Sequence, residues 1–505
     1  MSCYSSHGRS AAQAPNPARA GAAALLFALA CGVALAQPND APAPASPGVA
    51  GSPVSTTTPT ASADAATALA RYVAKPDPTF TWEVHTHFRA KGAEVIELVM
   101  QSQTWQGVAW KHQVVLIKPR NLEKADHALV IVGGGRWQES FADPAPEEED
   151  LPKGGDVFIG LARLLHTVVV VVAQVPYQPL FDLTEDRLIA YTFDQYERSG
   201  DPEWPLLLPM VKSVVRALDA GDAAARREWH QPLTTFTLFG ASKRGWTTWL
   251  TAAIEPRVTA FAPVVIDALN MQQHFPHQTT VFGAPSEAIK PYTDLGLPEI
   301  LSSDRGAPLR SIVDPYSYRD ALRQPKLIMV ATNDEYFPFD SLNLYWDGLE
   351  GPKYVLYLPN EPHRIKRYGQ AFRTLRALNE AAIGAEPMPK LEWEFAWDGD
   401  GGRLCVRSDP KPRAVRLWSA TNEGTDFRQA VWGAGPEISA RAAESIVLAP
   451  PTSGYRAMFA EVQYGRWLTA YSLSTNLAVL PARGTPELGP RPHGIAGICA
   501  PAPTR

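Results

Sequence analysis

From residue 69 to about 389 the chain alternates unbroken runs of Val, Ile and Leu with stretches of helical spacing. The runs are 112–119 (HQVVLIKP), 127–135 (HALVIVGGG), 167–176 (TVVVVVAQVP), 236–239 (FTLF), 258–267 (VTAFAPVVID), 326–334 (KLIMVATND) and 353–360 (KYVLYLPN). A strand wetted on one face alternates apolar and polar residues. A strand without alternation needs cover on both faces, and helices such as 203–220 (EWPLLLPMVKSVVRALDA) supply it. The pattern predicts a mostly parallel sheet between helical layers. After Pro389 the segments KLEWEFAW, RLCVRS, AVRLWSA, ESIVLAP, YRAMFAEVQY and WLTAYSLST alternate at short spacing instead. They predict an antiparallel sandwich of roughly 100 residues, of immunoglobulin-like size.

One run ends unlike the others. In FTLFGASKRGWTTWLTAAIEPRV (236–258) a strand meets a tight Gly-Ala-Ser-Lys-Arg-Gly turn and passes directly into a helix. Strand, G-x-S-x-x-G turn and helix form the nucleophile elbow of an α/β-hydrolase fold, which lifts a serine Oγ above the sheet edge. Here the second glycine of the usual motif is displaced by one place and Arg244 takes its slot. The backbone N–H of Lys243 then lies at a helix N-terminus, where partial positive charge favours an oxyanion.

Such hydrolases order their triad as serine, acid, histidine. Asp334 ends the 326–334 run, and His363 follows the next strand in LPNEPHRI. Only His363 and His493 lie beyond Asp334, and His493 sits in a Pro- and Gly-rich tail. Ser242, Asp334 and His363 are therefore the expected nucleophile, acid and base. Asp267 is the rival acid, with Glu335 and Asp340 beside the favoured one. Gly134 or Gly135, at the end of the 127–135 run, is expected to give the second oxyanion donor. Each residue also has an ordinary reading: Ser242 as a helix cap, Asp334 as a turn residue, His363 as a loop histidine. Arg244 is expected to pair with a nearby acid. Arg244, Tyr177, Asn270 and His274 are the candidate substrate-binding residues. His274 and His277 (QQHFPHQ) lack an accompanying Cys or acid cluster, so no metal is expected there, and no cofactor is expected for the chemistry.

These segments also carry a likeness. GASKRGWTTWLTAAIEPRVTAFAPVVIDALNM, VAQVPYQPL, ATNDEYF, RAVRLWSATNEGTDFR and GYRAMFAEVQY resemble the PhoPQ-activated pathogenicity-related protein family over about residues 70–482. The resemblance implies an α/β-hydrolase of the prolyl oligopeptidase kind with an added C-terminal β domain. By motif it carries the same serine, acid and histidine onto Ser242, Asp334 and His363. The family is named for regulation, so it implies no substrate.

The first 36 residues hold Arg9, Arg19 and an apolar run ending in Ala34-Leu35-Ala36, which reads as a cleaved secretory signal. The alternatives are an uncleaved anchor and a lipidated Cys31. Residues 37–68, rich in Pro, Ala, Ser and Thr, read as a flexible tether. Residues 69–387 are then the hydrolase domain, and 388–505 the sandwich with its tail. Removing the leader leaves Cys405 and Cys499, expected to be joined in a periplasmic or secreted protein. A formal charge of −5 and the lack of a long basic stretch argue against nucleic acid, and no membrane span is expected after signal removal. The combined expectation is an exported serine hydrolase acting on an ester or amide of a small molecule or peptide. An acidic sugar is one such substrate, by analogy to glucuronoyl esterases, which also place a basic residue after the serine. The competing expectation is a retired hydrolase scaffold used as a surface binding protein.

Overall fold

The structure, a computed structural model, describes residues 63–143, 155–438 and 443–499. The leader read at 1–36 and most of the tether read at 37–68 lie outside them. The described end of that tether is not flexible coil. Helix α1 (Ala63–Ala74) begins inside it, because Leu69, Tyr72 and Val73 form a buried face at i, i+3, i+4 spacing. Among the described residues no helix is long and apolar enough to cross a membrane.

Strands β1 (Thr81–Ala90), β2 (Ala93–Trp105) and β3 (Val108–Pro119) make an antiparallel meander, of which the sequence reading recognised only the third. They are joined by β4 (His127–Val132), β5 (Val168–Val172), β6 (Thr235–Ala241), β7 (Val258–Val264), β8 (Lys326–Ala331) and β9 (Lys353–Leu358). The spatial order is β1-β2-β3-β5-β4-β6-β7-β8-β9, parallel from β5 to β9. Every residue of β4 and β5 is buried, as expected of strands covered on both faces. The cover comes from α2 (Gly155–Leu165), α3 (Glu185–Ser199), α4 (Leu207–Trp229), α5 (Lys243–Ile254) and, after β9, α10 (Gly369–Ala382). Between β7 and β8 the chain inserts α6 (Met271–Phe282), α7 (Lys290–Thr293), α8 (Leu297–Ser302) and α9 (Ala307–Val313). This is the α/β-hydrolase fold. The chain runs from β4 out to β5 and returns to β6 on the other side of β4. The crevice at the carboxyl ends of β4 and β6 is thus a topological switch point, where open α/β sheets bind ligands.

After Pro389 the strands are antiparallel, as expected, and they fall in two sheets. One holds β10 (Lys390–Asp398), β11 (Gly401–Asp409) and β14 (Ala443–Leu448). The other holds β12 (Ala414–Asn422), β13 (Gly433–Ile438), β15 (Tyr455–Tyr464), β16 (Tyr471–Ser474) and β17 (Ala478–Pro481). Ser408 of the first sheet bonds the Tyr464 hydroxyl of the second at 2.7 Å. The second sheet is not separate from the hydrolase, however. It continues the central sheet through the antiparallel pairing of Ser474 with Val355 on β9, so the boundary read at 387/388 is crossed by a sheet ladder. The physical reason is the edge of β9, whose open backbone groups would otherwise face water. Tyr357 packs against Phe459 across the join, with ring centroids 4.9 Å apart. Cys405 and Cys499 are disulfide-bonded, with Cα atoms 5.3 Å apart, and the tail is also held by Phe395 N–H donating to the His493 carbonyl at 2.7 Å.

Candidate active site

Ser242 sits between β6 and α5 with φ 55° and ψ −126°. A non-glycine residue there stores roughly 1–3 kcal/mol and persists only where its surroundings force it. The surroundings are visible. A side chain on Gly240 would fall 2.5 Å from the Arg244 carbonyl oxygen, and one on Gly245 would fall 2.8 Å from the Ile266 side chain. The second glycine of the motif is therefore needed where it stands, because α5 crosses β7 there. Ser242 N–H donates to the Val264 carbonyl at 2.8 Å. The next amide, that of Lys243, opens α5 and has no acceptor within its own helix.

The Ser242 hydroxyl lies 2.9 Å from His363 Nε2. His363 Nδ1 lies 2.9 Å from Asp334 Oδ2 and 3.1 Å from Oδ1. Asp334 is held at the end of β8 and accepts from the Tyr336 amide at 2.8 Å. The His363 loop is anchored by its own amide donating to Glu335 at 3.0 Å. The structure thus brings together three residues separated by 29 and 121 positions. Of the rival acids, none takes the place of Asp334. Asp267 accepts from the Tyr345 hydroxyl at 2.5 Å, and burial pushes its carboxyl up to about 8. Asp340 pairs with His277 at 2.8 Å.

The two cations after the serine turn inward. Arg244 is 2% exposed. Its guanidinium grips Glu185 with two bonds of 2.8 and 2.7 Å and donates to the Val175 carbonyl at 2.6 Å. Burial pushes the Glu185 carboxyl up. The charges of Arg244 and Lys243, with hydrogen bonds from Arg244 and Gln178, outweigh it and hold that carboxyl well below the usual range. Lys243 reaches Asp186 at 2.8 Å and Glu185 at 3.6 Å. Asp186 also accepts from the hydroxyls of Tyr292 at 3.1 Å and Tyr336 at 3.4 Å. Arg244 is thus committed to Glu185 and is not a substrate-binding side chain. The sequence reading missed Glu185 and Asp186. The signal was two acids opening a helix, which match the two cations only once β5, α3 and α5 are packed.

The remaining candidates separate. Asn270, at φ 58°, precedes α6, its amide donates to the Leu344 carbonyl at 2.8 Å, and it does not line the cavity beside Ser242. Tyr177 packs against Trp110, with ring centroids 6.3 Å apart, and does not line the cavity beside Ser242. Gly134 lies flush on the Arg244 guanidinium, leaving no room for a Cβ, and Gly135 has φ 115°. His274 does line the cavity, together with Ser242 and Lys243.

Residues 69–428 match the family profile described as PhoPQ-activated pathogenicity-related protein. Autocrine proliferation repressor protein A of Dictyostelium discoideum is 28% identical over 436 residues, which are 79% of this chain and 86% of that protein. Among solved structures, acetyl xylan esterase 1 from a Thermoanaerobacterium species aligns at 14% identity over 63% of this chain and 93% of its own, TM-score 0.43. The glucuronoyl esterase from Solibacter usitatus aligns at 11% identity over 63% of this chain and 92% of its own, TM-score 0.36. Structural likenesses this loose carry no argument about the reaction.

Proposed function

The chain belongs to the PhoPQ-activated pathogenicity-related protein family, and within it we propose that this protein is an exported serine hydrolase that cleaves an ester or amide through an acyl-Ser242 intermediate. The observation that carries the reading is the continuous Ser242–His363–Asp334 chain of short contacts, with its serine on a strained turn at the switch point. Asp334 accepts from Nδ1–H of His363 and so fixes the tautomer that leaves Nε2 free to take a proton. As Oγ attacks the carbonyl carbon, its proton passes to Nε2. The same proton then goes to the leaving alcohol or amine. Water repeats the sequence and releases the acid. The tetrahedral oxyanion would meet the Lys243 amide at the start of α5 and an amide from the Gly134–Gly135 turn. Export is supported by the leader-like N-terminus and by the Cys405–Cys499 bond, since disulfides persist in oxidising compartments.

A fluorophosphonate probe tests the mechanism directly. The protein should gain one phosphonyl group, located by peptide mass spectrometry on Ser242, and Ser242→Ala should gain none. A folded protein that resists the probe would return the reading to a binding scaffold without catalysis.

A further inference from the structure

We propose that the cavity beside Ser242 is a recognition pocket for a compact, uncharged substrate group bearing one hydrogen-bonding atom, and that His274 reads that atom. This rests on the serine-hydrolase reading and narrows it to a class of substrate.

The cavity runs from Ser242 and Lys243 between α3, α5 and the helices inserted after β7. Its walls are apolar, with Phe193, Ile266, Met271, Phe275, Leu301 and Phe337 among them. Its volume is about 50 Å³. One water needs roughly 10–15 Å³ on the same measure, so the space suits a group of a few heavy atoms and not a long acyl chain.

The polar side chains on its lining can be accounted for one by one. Ser242 is bonded to His363. Asp186 is bonded to Lys243, Tyr292 and Tyr336. Trp246 donates to the Val313 carbonyl, and Gln278 bonds the Tyr336 carbonyl and the Ser286 amide. His274 differs. It is 1% exposed, and among the described residues neither ring nitrogen has a hydrogen-bond partner. Its rings' neighbours are Phe275 and Phe337, at 5.5 and 5.8 Å between centroids. Burial, reinforced by the charge of His277, pushes its pKa down to about 3. It is a neutral imidazole, offering one donor and one acceptor. Burying such a group unpaired is unfavourable, and a ligand atom is what would satisfy it.

The same accounting sets the charge of the ligand. Lys243 is neutralised by Asp186 and Glu185, so among the described lining residues no spare cation waits for a carboxylate, and a neutral imidazole does not supply one. The charge of Asp186 is in turn compensated by Lys243 at 2.8 Å, so among the described lining residues no unpaired carboxylate waits for an amine. The acidic sugar suggested by Lys243-Arg244 is not what this pocket holds. A site built around an unspent polar group discriminates strongly against analogues that leave it unpaired.

Two pairs of isosteric esters test the idea. p-Nitrophenyl methoxyacetate and butyrate differ by one ether oxygen in the acyl group, and 2-methoxyethyl and butyl acetate differ likewise in the alcohol. Intrinsic reactivity cancels when the preference within each pair is compared between variants. His274→Leu should reduce the ether preference in kcat/KM roughly tenfold for one pair, and His274→Gln, which keeps a donor and an acceptor, should restore most of it. An unchanged preference in both pairs overturns the pocket while leaving the hydrolase reading intact. Crystals of Ser242→Ala soaked with 2-methoxyethyl acetate give a readout without turnover or a His274 variant. The ether oxygen should lie within hydrogen-bond distance of His274, and an ester bound elsewhere, or a retained water joining both ring nitrogens to protein, overturns the proposal. An ester seated on His274 in a protein that turns over none would instead keep the pocket and remove the hydrolase.

Discussion

Among the described residues two histidine–aspartate pairs lie in this fold, and only one faces a serine. His363 meets Asp334 at 2.9 Å, and His277 meets Asp340 at 2.8 Å. Both aspartates follow β8, and both carboxyls are almost fully buried. The difference lies on the far side of each imidazole. His363 turns Nε2 toward Ser242, which the elbow holds above the sheet edge. His277 is covered by Gly489 of the C-terminal tail, so closely that a Cβ there would fall 2.9 Å from its ring. A histidine–carboxylate contact is thus not in itself a sign of catalysis. Under the proposed mechanism the same contact positions a base beside a strained serine, whereas at His277 it lies beneath a tail.

The sharpest way to break the comparison is to remove one histidine from each pair. Ser242→Ala or His363→Ala should lower turnover on the order of 10⁵-fold or more, since triad members act as a unit, while His277→Ala should leave kcat within a few-fold and lower the melting temperature. Ester kinetics beside thermal melts would show it, and equal losses from the two histidines would erase the distinction. The acids should follow the same order with smaller effects. Asp334→Asn should cost about 10⁴-fold through the wrong tautomer, and Asp340→Asn and Asp267→Asn far less. Asp267 is the milder of these two because its carboxyl, held up to about 8 by burial, is already neutral at pH 7 and an amide resembles it.

Three further effects concern stability. Glu185→Gln would leave the Arg244 guanidinium buried without its partner, at a cost of about 3–5 kcal/mol, measurable by urea titration. Reducing Cys405–Cys499 opens a closure of 94 residues, worth about 4.7 kcal/mol in the chain-entropy model. Hydrogen exchange should show the tail and β10–β11 loosening first, with Ser242 labelling retained, and loss of labelling on reduction would contradict the separation. The smallest effect is that of pH on the His277–Asp340 pair. Burial pushes His277 down, but Asp340 outweighs it, and the net shift is upward from 6.5. A raised folded value means that the stabilisation is full below about 6.5 and fades as pH rises through the folded value. Wild type should lose more stability than Asp340→Asn across that interval, and parallel curves would show that the pair does not titrate.

Local order was legible where covalent neighbours suffice to specify it. The unbroken valine runs of β4 and β5 declared strands covered on both faces, and Gly240–Gly245 declared a steep strand-to-helix corner. The order serine, acid, histidine named three positions at strand ends. Less visible was whatever depends on which surfaces meet. β1 and β2 were overlooked although they alternate, and the helical face of Leu69, Tyr72 and Val73 was lost in the composition of the tether before it. The β region after Pro389 was read correctly as antiparallel but not as a continuation of the central sheet, because nothing local in 471–474 announces that it will close the edge of β9.

The sequence by itself determined the class of sheet, the elbow and the short list of triad residues, because periodicity and turn chemistry act over a few residues and are written into them. Tertiary structure alone decided which acids absorb Lys243 and Arg244, and that His274 is left with an unspent hydrogen-bonding ring inside an apolar cavity. Charge pairing and burial act through space, over separations of 59 residues for Arg244 and Glu185 and 121 for Ser242 and His363, and the fold sets those distances.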